Sequence, residues 1–556
     1  MRRPLAAPLR GPLAASLSRR QVLRAAASGS LALAAVCGAA ACGANTPRRR
    51  AVGSTAPEDE LAILPGPAAG LSRVPRENHL AGTDLWQLPR DGTGGVEGYF
   101  DDVSVSPGDQ LVLRMRAAAG SVSVYVYRLG WYGGAGGRLV GRWPSVAVAP
   151  QPAAVRDPST GWLACRWSAA LRLTVPAGWV TGTYVAVMRP AGGEPQWATF
   201  IVREPAVTPG APSAATPDPE RRAPILFVSS VTTEQAYNAW GGRSLYADNS
   251  SGAPTVAGST RAVKVSFDRP YLRTRGAGTH LAWELPFVRW QEAHGYDVGY
   301  CADLDLGRHP EVAWGRRLLI VAGHPEYWSP AMRATLEQAI AAGTNVAFFS
   351  ANEMYWRVRF EDAGQPSRGP LGTDPARGRT LVCYRDPSLD PLAATDPRAA
   401  TSAWGKPPAA RPEGLVVGLS YGQVCDGLAD LVVSAPDHWA FHGTGLRAGD
   451  RIARLVGTEF DTWDPDPASR PDSVALLCAS PVRARLSGDD AAGTTTHATQ
   501  NSAIYTAPSG ATVFAAGTMT WGWGLDDWGD RAYMGETTPV DARAGRITAN
   551  LLDRLG

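Results

Sequence analysis

The sequence predicts an α/β protein built in two folded parts, an all-β sandwich over residues 80–203 followed by a mostly parallel sheet with flanking helices over 223–556. Three observations predict it. Between 80 and 203, short runs of alternating apolar and polar residues are separated by Pro-Gly-Asp and Gly-Gly turns, the pattern of half-buried antiparallel strands. Residues 204–222 are rich in Pro, Ala and Thr with no apolar period, as a linker is. Beyond them, short wholly apolar runs alternate with helical periodicity, which implies parallel strands joined by crossover helices. A chain of 556 residues is too long for one ordinary core, and its 19 Trp are enough to line deep aromatic surfaces.

The chain opens with an address label. Ser18-Arg19-Arg20-Gln21-Val22-Leu23-Arg24 precedes an Ala-rich apolar run from Ala25 to Ala41, a charged segment and a hydrophobic segment of signal length. The paired arginines resemble a twin-arginine export signal, and the run falls short of the ~20 residues of a spanning helix. Ala40-Ala41-Cys42-Gly43 resembles a lipoprotein cleavage box, with Ala39 in place of the usual Leu, so 1–42 reads as a signal with Cys42 as a candidate membrane tether. Residues 43–75 have the composition of a disordered tether, and the chain is expected to be exported to the cell envelope or beyond.

Charge excludes one class of partner. Six arginines precede Cys42, and removing them turns the formal charge from +3 to −3, which leaves no cationic excess for phosphate neutralisation; nucleic acid is not expected as a partner. Past Cys42 stand Cys165, Cys301, Cys383, Cys425 and Cys478, too widely spaced for a Cys-x-x-Cys metal or redox motif, although an oxidising compartment permits one or two disulfides.

In the sandwich, Gln110–Met115 and Ser121–Tyr127 are the clearest alternating strands. In the second part, Ile225–Ser230, Tyr296–Ala302, Leu318–Ala322 and Val346–Ser350 read as parallel strands wound in the flavodoxin-like manner, with a helix over Leu281–His294 despite Pro286. Ser329 caps a further helix that has Pro330 at its first position, Leu336 and Ile340 on one face, and Gly343 at its exit. Val474–Cys478 and Thr512–Ala516 look like core strands, and Arg546–Leu555 is a closing helix with Ile547 and Leu551 inward.

Ligands of open parallel sheets bind outside the carboxyl ends of the strands. With the four strands ordered 2-1-3-4, the segment leaving the first, which carries Tyr237 and Tyr246, meets the segment leaving the third, which carries His324 and Glu326; the fourth strand ends near Asn352. Such a polar cluster marks a candidate active site. The bland alternatives are that Glu326 only favours a helix N-terminus and that the tyrosines pack as lids. Trp240, Tyr271, Tyr327, Tyr355 and Trp356 read as packing or pocket lining, and Arg269 and Arg289 as buried salt-bridge partners.

Three runs carry a family resemblance: Gln-Ala-Tyr-Asn-Ala-Trp-Gly-Gly-Arg-Ser-Leu-Tyr, Gly-His-Pro-Glu-Tyr-Trp-Ser, and Phe-Phe-Ser-Ala-Asn-Glu-Met-Tyr-Trp-Arg-Val-Arg. Together they resemble the C-terminal domain of the large (beta) subunit of N,N-dimethylformamidase, and Tyr125–Gly134 resembles that family's β-domain. The resemblance implies a mononuclear, ferric iron held by Tyr237, Tyr246 and Glu326, with His324 and Asn352 beside it. It also implies an acidic residue further on, placed at Glu459 with Asp461 as its rival.

A hard trivalent cation displaces phenol protons and favours oxygen ligands, so the implied set is chemically coherent. The implied reaction is hydrolysis of a small amide at its carbon–nitrogen bond, Glu459 taking a proton while His324 or Asn352 stabilises the oxyanion. The family's small helical subunit has no fused equivalent here, which turns the expectation away from formamide itself as the substrate; a small subunit or a homo-oligomer is a candidate partner. The rival classes are a non-catalytic cell-envelope binding protein for carbohydrate or peptide, and a glutamine-amidotransferase-like fold, which the lack of a cysteine following a strand beside His324 disfavours.

Overall fold

The computed structural model describes residues 73–89, 95–118, 120–205, 222–361, 378–485, 494–529 and 531–556. The expected signal, Cys42, the tether up to 72 and the linker over 206–221 lie outside these residues. The described chain starts in a short helix, Arg73–Asn78, whose Val74 and Glu77 are buried.

A three-stranded antiparallel sheet follows, Val96–Phe100, Gln110–Ala117 and Ala169–Thr174. It faces a five-stranded sheet containing Ser121–Leu129, Gly137–Ala147, Gly182–Pro190 and Gln196–Val202. Leu111, Leu113 and Met115 from one sheet meet Val122, Val124 and Val126 from the other in a shared core. The Ser121–Leu129 strand departs from simple alternation, however, because its second face is buried too: Tyr125, Tyr127 and Leu129 belong to the core of the α/β part. The sandwich therefore presents one outer face to the second domain instead of to water.

A buried ion pair fixes that junction. Arg128 meets Glu292 through two bonds of 2.8 and 3.0 Å, with both side chains inaccessible to solvent. Its guanidinium also donates to the Thr181 carbonyl, while Tyr300 Oη and Asn78 Nδ2 donate to Glu292 at 2.7 Å each. Gly130 is required beside this pair, since a Cβ there would lie 2.1 Å from Glu292 Oε2.

The second domain is organised by a nine-stranded sheet. Its strands in chain order are β1 (Ile225–Ser229), β2 (Val298–Ala302), β3 (Leu318–Gly323), β4 (Asn345–Ser350), β5 (Ser420–Cys425), β6 (Glu459–Thr462), β7 (Ala475–Arg485), β8 (Thr495–Thr506) and β9 (Thr512–Ala515). Their order across the sheet is β2-β1-β3-β4-β9-β8-β7-β5-β6. The first five are mutually parallel and almost wholly buried, as strands covered on both faces must be. The last four continue the sheet antiparallel.

The principal helices are α1 (Val231–Tyr237), α2 (Leu285–Ala293), α3 (Pro330–Ala341) and α4 (Ala542–Leu555). Helix α3 has the expected ends: Ser329 Oγ accepts from Met332 N, Pro330 is first, and Gly343 exits at φ +94°. The helix expected over Leu281–His294 is instead two, broken at Glu284, because Pro286 can begin a helix but not lie inside one. The disulfides that the cysteine count permitted are not formed; Cys165, Cys301, Cys383, Cys425 and Cys478 are all free and buried. Among the described residues no helix is long and apolar enough to cross a membrane.

The antiparallel half does not run off flat. Phe460 of β6 bridges Thr518, Asp461 N donates to the Gly517 carbonyl, and Thr518 N donates to the Ser350 carbonyl at the end of β4. The edge strand thus returns to the carboxyl ends of the parallel strands. Gly517 permits this crossing, since a Cβ there would meet Asn501 O at 2.1 Å.

Candidate active site

Four segments converge at that sheet edge. Leaving β1, helix α1 places Tyr237 in its last turn, and a glycine pair at Gly241 and Gly242, both with positive φ, turns the chain back toward Tyr246. Arg269 holds this loop from beneath, donating to the carbonyls of Gln235, Trp240, Arg243 and Ser266. It is therefore a backbone clamp and not the salt-bridge partner expected; with no carboxylate beside it, burial draws its pKa down to about 9. Arg289 does form the expected salt bridge, 2.9 Å from Asp526.

The segment leaving β3 turns at Gly323 and presents His324 and Glu326, whose backbone N–H donates to Thr233 Oγ1 at 2.9 Å. Asn352 follows β4 in the left-handed region at φ +58°, a conformation Asn tolerates better than most residues. Glu459 begins β6 directly after left-handed Thr458.

Tyr246, Glu326, His324, Asn352 and Glu459 form one connected cluster, with Tyr237 stacked on it. Tyr246 Oη lies 2.8 Å from each oxygen of Glu326, and the two tyrosine rings stack with centroids 4.1 Å apart. His324 Nε2 lies 3.2 Å from Glu459 Oε2 and 3.4 Å from Glu326 Oε2. Asn352 Nδ2 donates to Glu459 Oε2 at 2.6 Å, leaving its Oδ1 buried without a partner. Asp461 stands behind this layer, accepting the Asn352 backbone N–H at 2.9 Å. Of the two acids weighed for the site, it is Glu459 that faces His324.

Environment separates these groups. Burial, then the charge of Glu326, pushes both phenols well above the ordinary tyrosine range. Burial also raises Glu326, against the pull of His324. Burial acts the same way on Glu459, but the charge and hydrogen bond of His324 and the bond from Asn352 outweigh it and hold that carboxyl low. His324 moves up despite its burial because Glu459 and Glu326 favour the imidazolium. Behind them, burial and then the charge of Glu353 raise Asp461 well above the ordinary carboxylate range.

Two groups read from sequence as packing, or not singled out, belong to the cluster. Tyr327 Oη donates to Tyr246 Oη at 2.8 Å, and Arg385 donates to Tyr327 Oη at 2.9 Å. The Arg385 guanidinium lies 4.3 Å from the centroid of the Tyr246 ring and 4.8 Å from that of Trp356. Tyr327 was legible in principle, being next to Glu326 in the same turn; Arg385 comes from a loop-rich stretch with no periodic signal.

Among the described residues no group of three or more His, Cys, Asp and Glu side chains converges as a metal site. A cation at this edge would depend on phenol oxygens. Tyr237, Tyr246 and Glu326 are a hard, all-oxygen donor set, and the Tyr246 hydroxyl already points between the two carboxylate oxygens. A cavity of about 310 Å³ adjoins the cluster, with Tyr237, His324 and Glu459 in its wall.

The model of the family described as N,N-dimethylformamidase beta subunit-like, C-terminal, matches residues 123–535. The chain belongs to this family. The match starts inside the Ser121–Leu129 strand and runs through all nine strands of the large sheet, so this dimethylformamidase beta subunit-like chain carries the family pattern on both folded parts. No curated protein matches it. A crystal structure of an uncharacterized protein from Bacillus anthracis str. Ames aligns over 19% of this chain and 84% of its own, at 13% identity and a TM-score of 0.13, too slight a likeness to bear on fold or function.

Proposed function

We propose that this chain is a metal-dependent hydrolase of a carbon–nitrogen amide bond, with a mononuclear ferric ion held by Tyr237, Tyr246 and Glu326. The observation that carries the proposal is the juxtaposition of stacked phenols and a carboxylate with a His324–Glu459 pair on the wall of one cavity. Family membership supports the hydrolase class. When bound, the ion would supply Lewis acidity toward an amide carbonyl and make water at the site more acidic.

The protein's own groups divide the remaining work. Glu459, held ionised by His324 and Asn352, is the base that takes a proton from the attacking water. His324, favoured as the imidazolium, is the donor for the developing oxyanion and then for the departing nitrogen. Asn352 spends its N–H on Glu459 and so acts as a positioning group. The proposal includes export through the 1–42 segment and tethering through Cys42, on the strength of the Arg-Arg, apolar and Ala-Ala-Cys-Gly runs. It also includes assembly with a small subunit or with further copies of the chain.

Elemental analysis with a visible spectrum tests the metal. The expected result is one iron per chain and a tyrosinate-to-iron charge-transfer band that Tyr237→Phe and Glu326→Ala remove without unfolding the protein. Amide hydrolysis by iron-free protein, or a band that survives both substitutions, would overturn it.

A further inference from the structure

The cavity beside the cluster has a second polar wall that the proposed chemistry does not use. It is formed by Ser230 and Glu234, at the start of and within α1, and by Thr279 and Glu284. Glu284 is fully engaged: its oxygens accept from Ser230 N at 2.7 Å and from Ser229 Oγ, and His280 Nδ1 lies 2.8 Å away. Glu234 is less so: only Thr279 bonds to it, through its backbone N–H and through one long side-chain bond, 3.3 Å from Thr279 Oγ1 to Glu234 Oε1, although the residue is only 7% exposed. Ser230, 3% exposed, also borders the cavity, and its hydroxyl is buried with no hydrogen-bond partner. A buried carboxylate without a cation and a buried hydroxyl without a partner are each costly unless something else satisfies them.

Size points the same way. About 310 Å³ is room for roughly ten water molecules at their liquid volume. That exceeds what a formamide bearing only methyl groups fills, and it lies at the lower end of cavities that take whole small-molecule ligands. The cavity thus has room for an occupant that extends beyond the scissile amide, and what such an occupant meets on this wall is an array of oxygen acceptors.

We propose that the substrate is an amide carrying a primary amine away from the scissile bond, and that Glu234, Ser230 and Thr279 receive the ammonium. An ammonium has three donors and no acceptor, which complements one carboxylate and two hydroxyl oxygens. Burial first, then the charge of Glu284, raises Glu234 well above the ordinary carboxylate range, a cost that a ligand cation would offset. Arg273 lines the same cavity from an exposed position.

This inference rests on the cavity being the amide site proposed above, and binding separates the two. Calorimetric titration of the full chain with N-(3-aminopropyl)formamide and with N-butylformamide, equal in heavy atoms, should give about tenfold tighter binding of the amine. That ratio should fall to near one in Glu234→Gln and by a few fold in Ser230→Ala. Equal affinity in the unsubstituted protein, or a preference that survives Glu234→Gln, overturns the assignment. A Glu234-dependent preference without turnover of either compound by the iron-loaded protein would keep the amine site and sink the hydrolase. Turnover of both without preference would do the reverse.

Discussion

Two of the buried polar clusters among the described residues are built differently. At the junction between sandwich and sheet, Arg128 and Glu292 are fixed charges meeting fork to fork, and Arg138 lies 2.5 Å from Glu77 beside them. At the sheet edge, Glu326 is satisfied largely by a phenol hydroxyl, and Tyr246 in turn by the hydroxyl of Tyr327. The first cluster is closed by ion pairs; the second holds phenol protons that a Lewis acid can displace. That difference suits one to be mortar between the two folded parts and the other to the site proposed above.

The comparison is broken most decisively at the sheet edge. Tyr246→Phe or Glu326→Gln is expected to lower amide turnover about a thousandfold, some 4 kcal/mol of transition-state stabilisation, with loss of bound iron and an intact circular dichroism spectrum. Glu292→Gln should do the opposite. Leaving Arg128 buried without its partner is expected to cost about 3 kcal/mol or more in urea unfolding, with turnover per folded molecule maintained.

Asp303 sharpens the contrast as an intermediate case. It accepts from Thr232 and Leu304, yet no cation pairs with it among its leading influences, and burial raises its pKa to about 8. Because the folded value lies above the unfolded one, its contribution is fully present below the ordinary Asp pKa near 3.8 and lost as pH rises through about 8. Asp303→Asn removes that dependence. The melting midpoint of the variant minus that of the parent should grow by a few degrees between pH 4 and pH 8 and then level off. A difference that stays flat would show that the hydrogen bonds already hold the carboxylate ionised.

The smallest expected effect is at Arg385. Arg385→Ala should lower turnover about fivefold, through loss of the cation over the Tyr246 ring and of the bond to Tyr327. Arg385→Lys should restore only part of it, since an ammonium cannot span both aromatic faces as a planar guanidinium does.

Much of this was legible in the sequence because parallel strands buried on both faces leave unbroken apolar runs. Ile225–Ser229, Leu318–Gly323 and Asn345–Ser350 were therefore located to within a residue or two, and their order brings Tyr237, Tyr246, His324 and Glu326 to one edge. Glu459 could be named only through family likeness, because its approach depends on an edge strand folding back onto Thr518, which no local pattern encodes. Arg385 escaped because a lone arginine in irregular chain looks like any solvated cation until its rings are known. The double burial of the Ser121–Leu129 strand was missed for a related reason: Tyr125 and Tyr127 read equally well as the wet face of a sandwich.

The returning edge strand has one more consequence, for the order in which the protein comes alive. Tyr237, Tyr246 and Glu326 are synthesised and can be gathered long before Glu459 is docked through Phe460 and Thr518. Contacts that span so much chain form late, since loop closure must precede them. On the reading proposed above, the base would reach His324 only once the last strands were in place, and amide turnover would wait for them.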